Sequence, residues 1–298
     1  MCANLVAVGS EKMCLRLSKG LAVAALVLAA GGAWSWGPEA HELITRQAMA
    51  ILPAQMKPFY ETNARYIVPM SNLPDDWRES HRAEVAPEHY IDLDLLGRPP
   101  FSDLVVDRKT AEKRFGRQKL LGAGVLPWAI VERYERLVEA MRKLDTVEIV
   151  VQSAVLAHYV GDAHVPFHAT KDYDGRTPGQ KGIHFRWEEG LVSLVMKPEK
   201  VRPRKAEPVA DVLKSAFNWC ISSYKLVDSI LKADDKARAI DPGHGYKYYR
   251  SLADGTASKL IGRLESASEA LAGLWAAAWK QAGKPSLPAR HAPLFWGH

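Results

Sequence analysis

Apolar residues recur at helical spacing along most of the chain. They fall at Leu43, Ile44, Ala48 and Ile51 over residues 39–52, a run that stops at Pro53. They continue at Ile130, Tyr134, Leu137 and Met141 over 125–143, and at Val147, Val150, Val151, Ala154 and Ala157 over 146–163. The same spacing runs through Val212, Ala216, Cys220, Val227 and Leu231 over 209–232, and through Leu252, Leu260, Leu264, Leu271 and Trp275 over 248–281. Steps of three and four residues mark amphipathic helices. No alternating run is long enough to predict a sheet. Pro-, Gly- and Asp-rich stretches at 69–77, 97–103, 171–183 and 201–208 read as loops. With no internal repeat or linker, the pattern predicts one all-α domain, a bundle of seven to nine helices.

One run breaks the amphipathic pattern. Residues 21–30 are wholly apolar, follow Lys12, Arg16 and Lys19, and lead into small residues. That layout predicts an export signal; a membrane anchor needs roughly 20 apolar residues. Cleavage after Ser35 makes residues 1–35 the leader and 36–298 the mature domain, secreted or periplasmic. Cleavage after Ala33 also fits the small-residue rule, and Met13 is an alternative start. Composition is ordinary for a globular domain, at 47% hydrophobic and 25% charged. The leader carries away three basic residues and Glu11, so the net charge falls from +6 to +4. Cys2 and Cys14 leave with it, so Cys220 has no partner for an intramolecular disulfide. Packing or bound metal must stabilise the fold.

The polar residues that interrupt the apolar faces point to metal. His158 and Asp162 share one face of the 146–163 helix, in line with Val151 and Ala154, which turns that face inward. A charged carboxylate on an inward face is costly unless compensated. Pro166 ends the helix and lets His168 turn back. His184 and Glu188 repeat the four-residue spacing. A single His–acid pair reads equally as a surface hydrogen bond, but two within about thirty residues, with His168 between, favour a mixed imidazole–carboxylate site that suits zinc. Asp75 or Asp76, followed by Arg78, and the segment His89-Tyr90-Ile91-Asp92 are weaker signals. His41, five residues after Trp36, is unspecific alone. His164 is open between a role supporting the ligands and one in packing.

Together these segments resemble the zinc-dependent superfamily that unites bacterial phospholipase C with single-strand-specific nucleases. The resemblance spans Trp36 through Glu188 and rests most on His158–Asp162–His168 and on the Trp-Gly-x-x-x-His start. It implies an all-α bundle of that type and three zinc ions. One would be held by the Trp36 amine and carbonyl with His41 and Asp162. A second would be held by Asp75, His89, His158 and the bridging Asp162, and a third by His168, His184 and Glu188. A backbone amine inside a peptide bond cannot be a ligand, so this reading requires cleavage after Ser35. The implied reaction is phosphodiester hydrolysis by a metal-activated water, with Asp75 orienting it and Arg78 binding the phosphate. Tyr90 and Asp92 occupy the places of a base-stacking aromatic and its hydrogen-bonding acid; Tyr90 reads equally as a half-buried core residue. Glu188, and a short 168–184 segment without Gly-Gly-Asn, resemble the phospholipase branch. Single-stranded nucleic acid is slightly favoured as substrate, with phospholipid head groups as the alternative and a non-catalytic zinc-binding domain as the second. No protein partner is implied, and a monomer is expected.

Overall fold

A computed structural model describes residues 37–195, 197–206 and 209–293. The proposed leader 1–35 and the proposed ligand Trp36 lie outside the described residues. Among those described, the fold is all-helical, with nine helices of eight residues or more. These are α1 (Pro38–Ala50), α2 (Lys57–Met70), α3 (Leu73–Ser80), α4 (Arg108–Phe115), α5 (Leu126–Lys143), α6 (Thr146–Ala163), α7 (Val212–Tyr224), α8 (Val227–Ile240) and α9 (Tyr246–Gln281). Among the described residues no helix is long and apolar enough to cross a membrane.

Helix α6 is central. It packs against α1, α2, α5, α7 and α9, and is buried almost without interruption from Ile149 to Ala163. A helix covered on every side needs apolar residues all round, not a stripe, and α6 has them in Ile149, Val150, Val155, Leu156 and Val160. His158 and Asp162 are therefore set in a dry interior, both fully buried. The helix begins at Asp145, whose carboxylate accepts the Glu148 N–H at 3.1 Å. Leu144, in the left-handed conformation at φ 53°, turns the chain sharply from α5 into α6.

Three departures from the sequence pattern have local causes. The 69–77 stretch is not a loop: α2 runs through Pro69 to Met70, and α3 starts at Leu73 with Pro74 in its first turn. Proline at a helix start costs nothing, because that N–H has no partner within the helix. The single helix predicted over 209–232 is two, broken at Lys225–Leu226, and the second runs on to Ile240. Helix α4 has almost no apolar face, with only Ala111 buried, and so leaves no periodic signal. Asp107 caps it by accepting the Thr110 N–H at 2.9 Å.

Candidate metal centre

Four segments converge beside the C-terminal half of α6. His41 comes from α1 and stacks on the His158 ring, centroids 4.1 Å apart. Asp75 comes from the first turn of α3. His89 ends a short 3-10 turn, Ala86–His89, and is buried. His168 lies on a second such turn, Pro166–His168, which begins at the proline that follows α6.

The backbone fixes these segments. Ile91 N–H donates to the His168 carbonyl at 2.8 Å, and Asp92 N–H to that of Ala123. Gly124, at φ 87°, allows this approach: a side chain there would meet the Tyr90 carbonyl at 2.1 Å. Glu88, beside His89, accepts from Tyr159 at 2.6 Å and Arg133 at 3.2 Å, tying the turn to α6 and α5.

His41, His158 and Asp162 form one metal-capable group, and Asp75, His89 and His158 form a second that shares His158. His158 Nε2 lies 3.3 Å from Asp162 Oδ2 and 3.1 Å from His89 Nδ1. His89 Nδ1 lies 3.1 Å from Asp162 Oδ2 and 3.8 Å from Asp75 Oδ1. The edge of a tetrahedron of N and O ligands around zinc is about 3.3 Å, so the spacing fits an ion. Asp162 Oδ1 lies 3.6 Å from His41 Nε2. Its two oxygens thus serve two neighbouring groups. Asp75 is buried and belongs to the cluster; Asp76 is exposed.

The third group, His168, His184 and Glu188, sits on the turn after α6 and on a buried helical segment. His168 Nε2 is 4.0 Å from Glu188 Oε2. His184 Nε2 comes within 2.7 Å of Glu188 Oε1, yet neither Glu188 oxygen takes part in a hydrogen bond among the described residues. A fully buried carboxyl group in that state has its oxygens free to serve as metal ligands.

Electrostatics agree with the geometry. Burial, with the charge of His158, holds the His41 pKa well below its usual value. Burial also lowers His89 and His168, and brings His184 down to about 4. These rings are therefore neutral at pH 7, with a lone pair to give. Burial pushes the Glu188 pKa well above the carboxylate range. Burial opposes ionisation of Asp162 too, but His158 and His168 outweigh it and hold its pKa well down. Two rings are oriented from behind: His158 Nδ1 donates to the Ser71 carbonyl at 2.8 Å, and His168 Nδ1 to that of His89 at 2.6 Å. Each leaves Nε2 facing the cluster.

Arg78 borders this centre, and Tyr90 and Asp92 follow His89 in the chain. Arg78 Nη2 is 3.2 Å from Asp75 Oδ1. Tyr90 is half-buried and its hydroxyl donates to Gly122 at 3.3 Å. Burial, then the nearby Asp94 and Asp172, pushes the Asp92 carboxyl up to about 7. Tyr173, half exposed, reaches the His184 ring at 6.1 Å.

Sequence reasoning missed the support behind the third group. Arg186 is buried and donates to Tyr248 at 2.8 Å, to the Lys181 carbonyl at 2.7 Å and to Asp234 at 3.0 Å. It thereby ties the His184–Glu188 segment to α8 and α9. Its place between those two ligands was a signal, but a lone arginine in a polar stretch reads as exposed.

No family model matches the chain, and no curated protein matches it.

Proposed function

We propose that the chain is an exported, metal-dependent phosphodiesterase of the zinc-dependent phospholipase C and single-strand nuclease type. The observation that carries this reading is three contiguous metal-capable groups, linked by Asp162 and His158, with Arg78 and Asp75 at their edge. Trp36 would complete the His41–Asp162 group once the leader is removed. Bound divalent ions would supply a water of lowered pKa and offset the charge on the phosphoryl oxygens.

The chain's own residues do the rest. Asp75 orients the attacking water and takes its proton. Arg78, held beside Asp75, offers its guanidinium to a phosphoryl oxygen as negative charge develops. With three divalent ions bound, the carboxylates of Asp75, Asp162 and Glu188 would be outweighed and the floor of the site would be cationic, which suits a phosphodiester.

Single-stranded nucleic acid is the favoured substrate, because Tyr90 offers a ring for an unpaired base and Asp92 a partly protonated carboxyl for its edge. Phospholipid is the alternative, favoured by Glu188 and the short 168–184 segment. Assays on single-stranded DNA, RNA and phosphatidylcholine vesicles, with metal-loaded protein beginning at Trp36, separate them. Hydrolysis of nucleic acid that falls with Tyr90→Ala supports the first; turnover of vesicles alone supports the second. A protein that binds zinc and cleaves no phosphate ester is a zinc-binding domain without catalysis.

A further inference from the structure

Two clusters of the same make-up stand behind two of the metal-capable groups, and no member of either belongs to those groups. Each joins an arginine and a tyrosine on one carboxylate. Behind His89, Glu88 accepts from the Tyr159 hydroxyl at 2.6 Å and from Arg133 Nη2 at 3.2 Å. Behind His184 and Glu188, Asp234 accepts from the Tyr248 hydroxyl and from Arg186 Nη2, the latter at 3.0 Å. Tyr159, Tyr248 and Asp234 are fully buried.

Both clusters reach the ligands through the adjoining chain. Glu88 immediately precedes His89 in the turn Ala86–His89. Tyr159 immediately follows His158 on α6, and its ring stands edge-on to that of His89, centroids 5.4 Å apart. Arg186 lies two residues after His184 and two before Glu188.

His184 and Glu188 lie on short turns, Ile183–Phe185 and the π-helical Arg186–Gly190 that continues it. A π turn is rare in proteins and frequent at functional sites. Arg186 fixes this one from behind. Its Nε donates to the Tyr248 hydroxyl at 2.8 Å, its Nη1 to the Lys181 carbonyl at 2.7 Å, and its Nη2 to that of Gln180 at 3.1 Å as well as to Asp234. Gly182, at φ 85°, makes room for the guanidinium, since a Cβ there would meet Nη1 at 2.8 Å. Arg238 Nε donates to the second Asp234 oxygen at 3.0 Å and extends the cluster along α8.

We propose that Arg186, Asp234 and Tyr248 are positioning residues for the ion of the His168–His184–Glu188 group, and Glu88, Arg133 and Tyr159 for the ion of the Asp75–His89–His158 group, each cluster acting on its own ion. The proposal rests on the metal-binding reading of those groups. Partners that orient metal ligands from behind set metal affinity by about 10- to 100-fold. The clusters share no residue. One joins α5 and α6 to the turn that bears His89, and the other joins α8 and α9 to the turns that bear His184 and Glu188, so loosening one leaves the other's ligands in place.

Competition for zinc between a chromophoric chelator and metal-loaded protein beginning at Trp36 tests it. Tyr248→Phe is expected to weaken one of the three ions at least about tenfold and to leave the other two unchanged. In a His184→Ala background, already without the third-group ion, the same substitution should change nothing. Tyr159→Phe should also weaken a single ion, and its effect should vanish in a His89→Ala background instead. Arg238→Gln, at the outer end of the cluster, serves where Tyr248→Phe fails to fold. A cluster that only holds the fold together would lower the Tm of metal-free protein and the affinity for all three ions alike. With three ions in the wild type, uniform weakening or unchanged affinity for every ion overturns this proposal alone. A wild type that takes up no zinc overturns the metal-binding reading with it.

Discussion

Asp162 and His164 are two residues apart at the end of one buried helix, and their surroundings have opposite needs. On the Asp162 side, buried carboxylates and imidazoles crowd together, and Glu188 makes no hydrogen bond among the described residues. On the His164 side, the Arg263 guanidinium donates to the His164 and Trp219 carbonyls and to Ser223. The first region gathers metal-capable donors; the second buries a guanidinium among neutral acceptors, among the described residues.

The comparison can be broken most severely at Asp162. Asp162→Ala removes the carboxylate shared by two groups and should cost at least two ions. At a hundredfold excess over Kd each ion contributes about 2.7 kcal/mol, so the Tm should fall by about 10 °C. Differential scanning calorimetry with and without chelator measures this; chelator should lower the wild-type Tm and barely move the variant's.

Asp75→Asn acts on chemistry more than on stability. Loss of the proton acceptor should reduce hydrolysis of a phosphodiester roughly 10²- to 10⁴-fold with the helical circular dichroism unchanged. Near-normal turnover in this variant excludes the role given to Asp75.

Tyr90→Ala should weaken a single-stranded oligonucleotide by about 1–3 kcal/mol, the range for base stacking, and leave hydrolysis of bis(p-nitrophenyl) phosphate nearly unchanged. Equal losses on both substrates mark Tyr90 as a packing residue.

The smallest effect concerns Asp92. Its pKa in the folded chain, about 7, lies above the unfolded value. Burial thus penalises the ionised form, and stability declines as pH rises from about 4 through 7. Asp92→Asn removes that decline, so its Tm relative to wild type should be about 2 °C higher at pH 8 than at pH 5. A difference independent of pH contradicts the raised pKa.

The two regions were not equally legible in the sequence. Helices α5 and α6 appear within a residue of their predicted bounds, because both have strong apolar periodicity and α6 is capped by Asp145. Helices α2, α3 and α4 were not read, since prolines at helix starts resemble loop signals and α4 buries little. The imidazoles and carboxylates of the metal-capable groups stand out because His and Asp at four-residue spacing on an inward face demand an explanation. Arg263 and Arg186 do not stand out. An arginine on a helix or turn ordinarily reads as exposed, and only the packing of α7, α8 and α9 reveals that these two are buried.

The central claim is that three divalent ions occupy the side of α6 bearing His158 and Asp162. Elemental analysis of purified protein beginning at Trp36, after gel filtration in metal-free buffer, tests it most directly. The account predicts three ions per chain, lost together with phosphodiester hydrolysis on chelation. A folded chain that carries no transition metal, and gains neither metal nor stability when zinc is supplied, contradicts it.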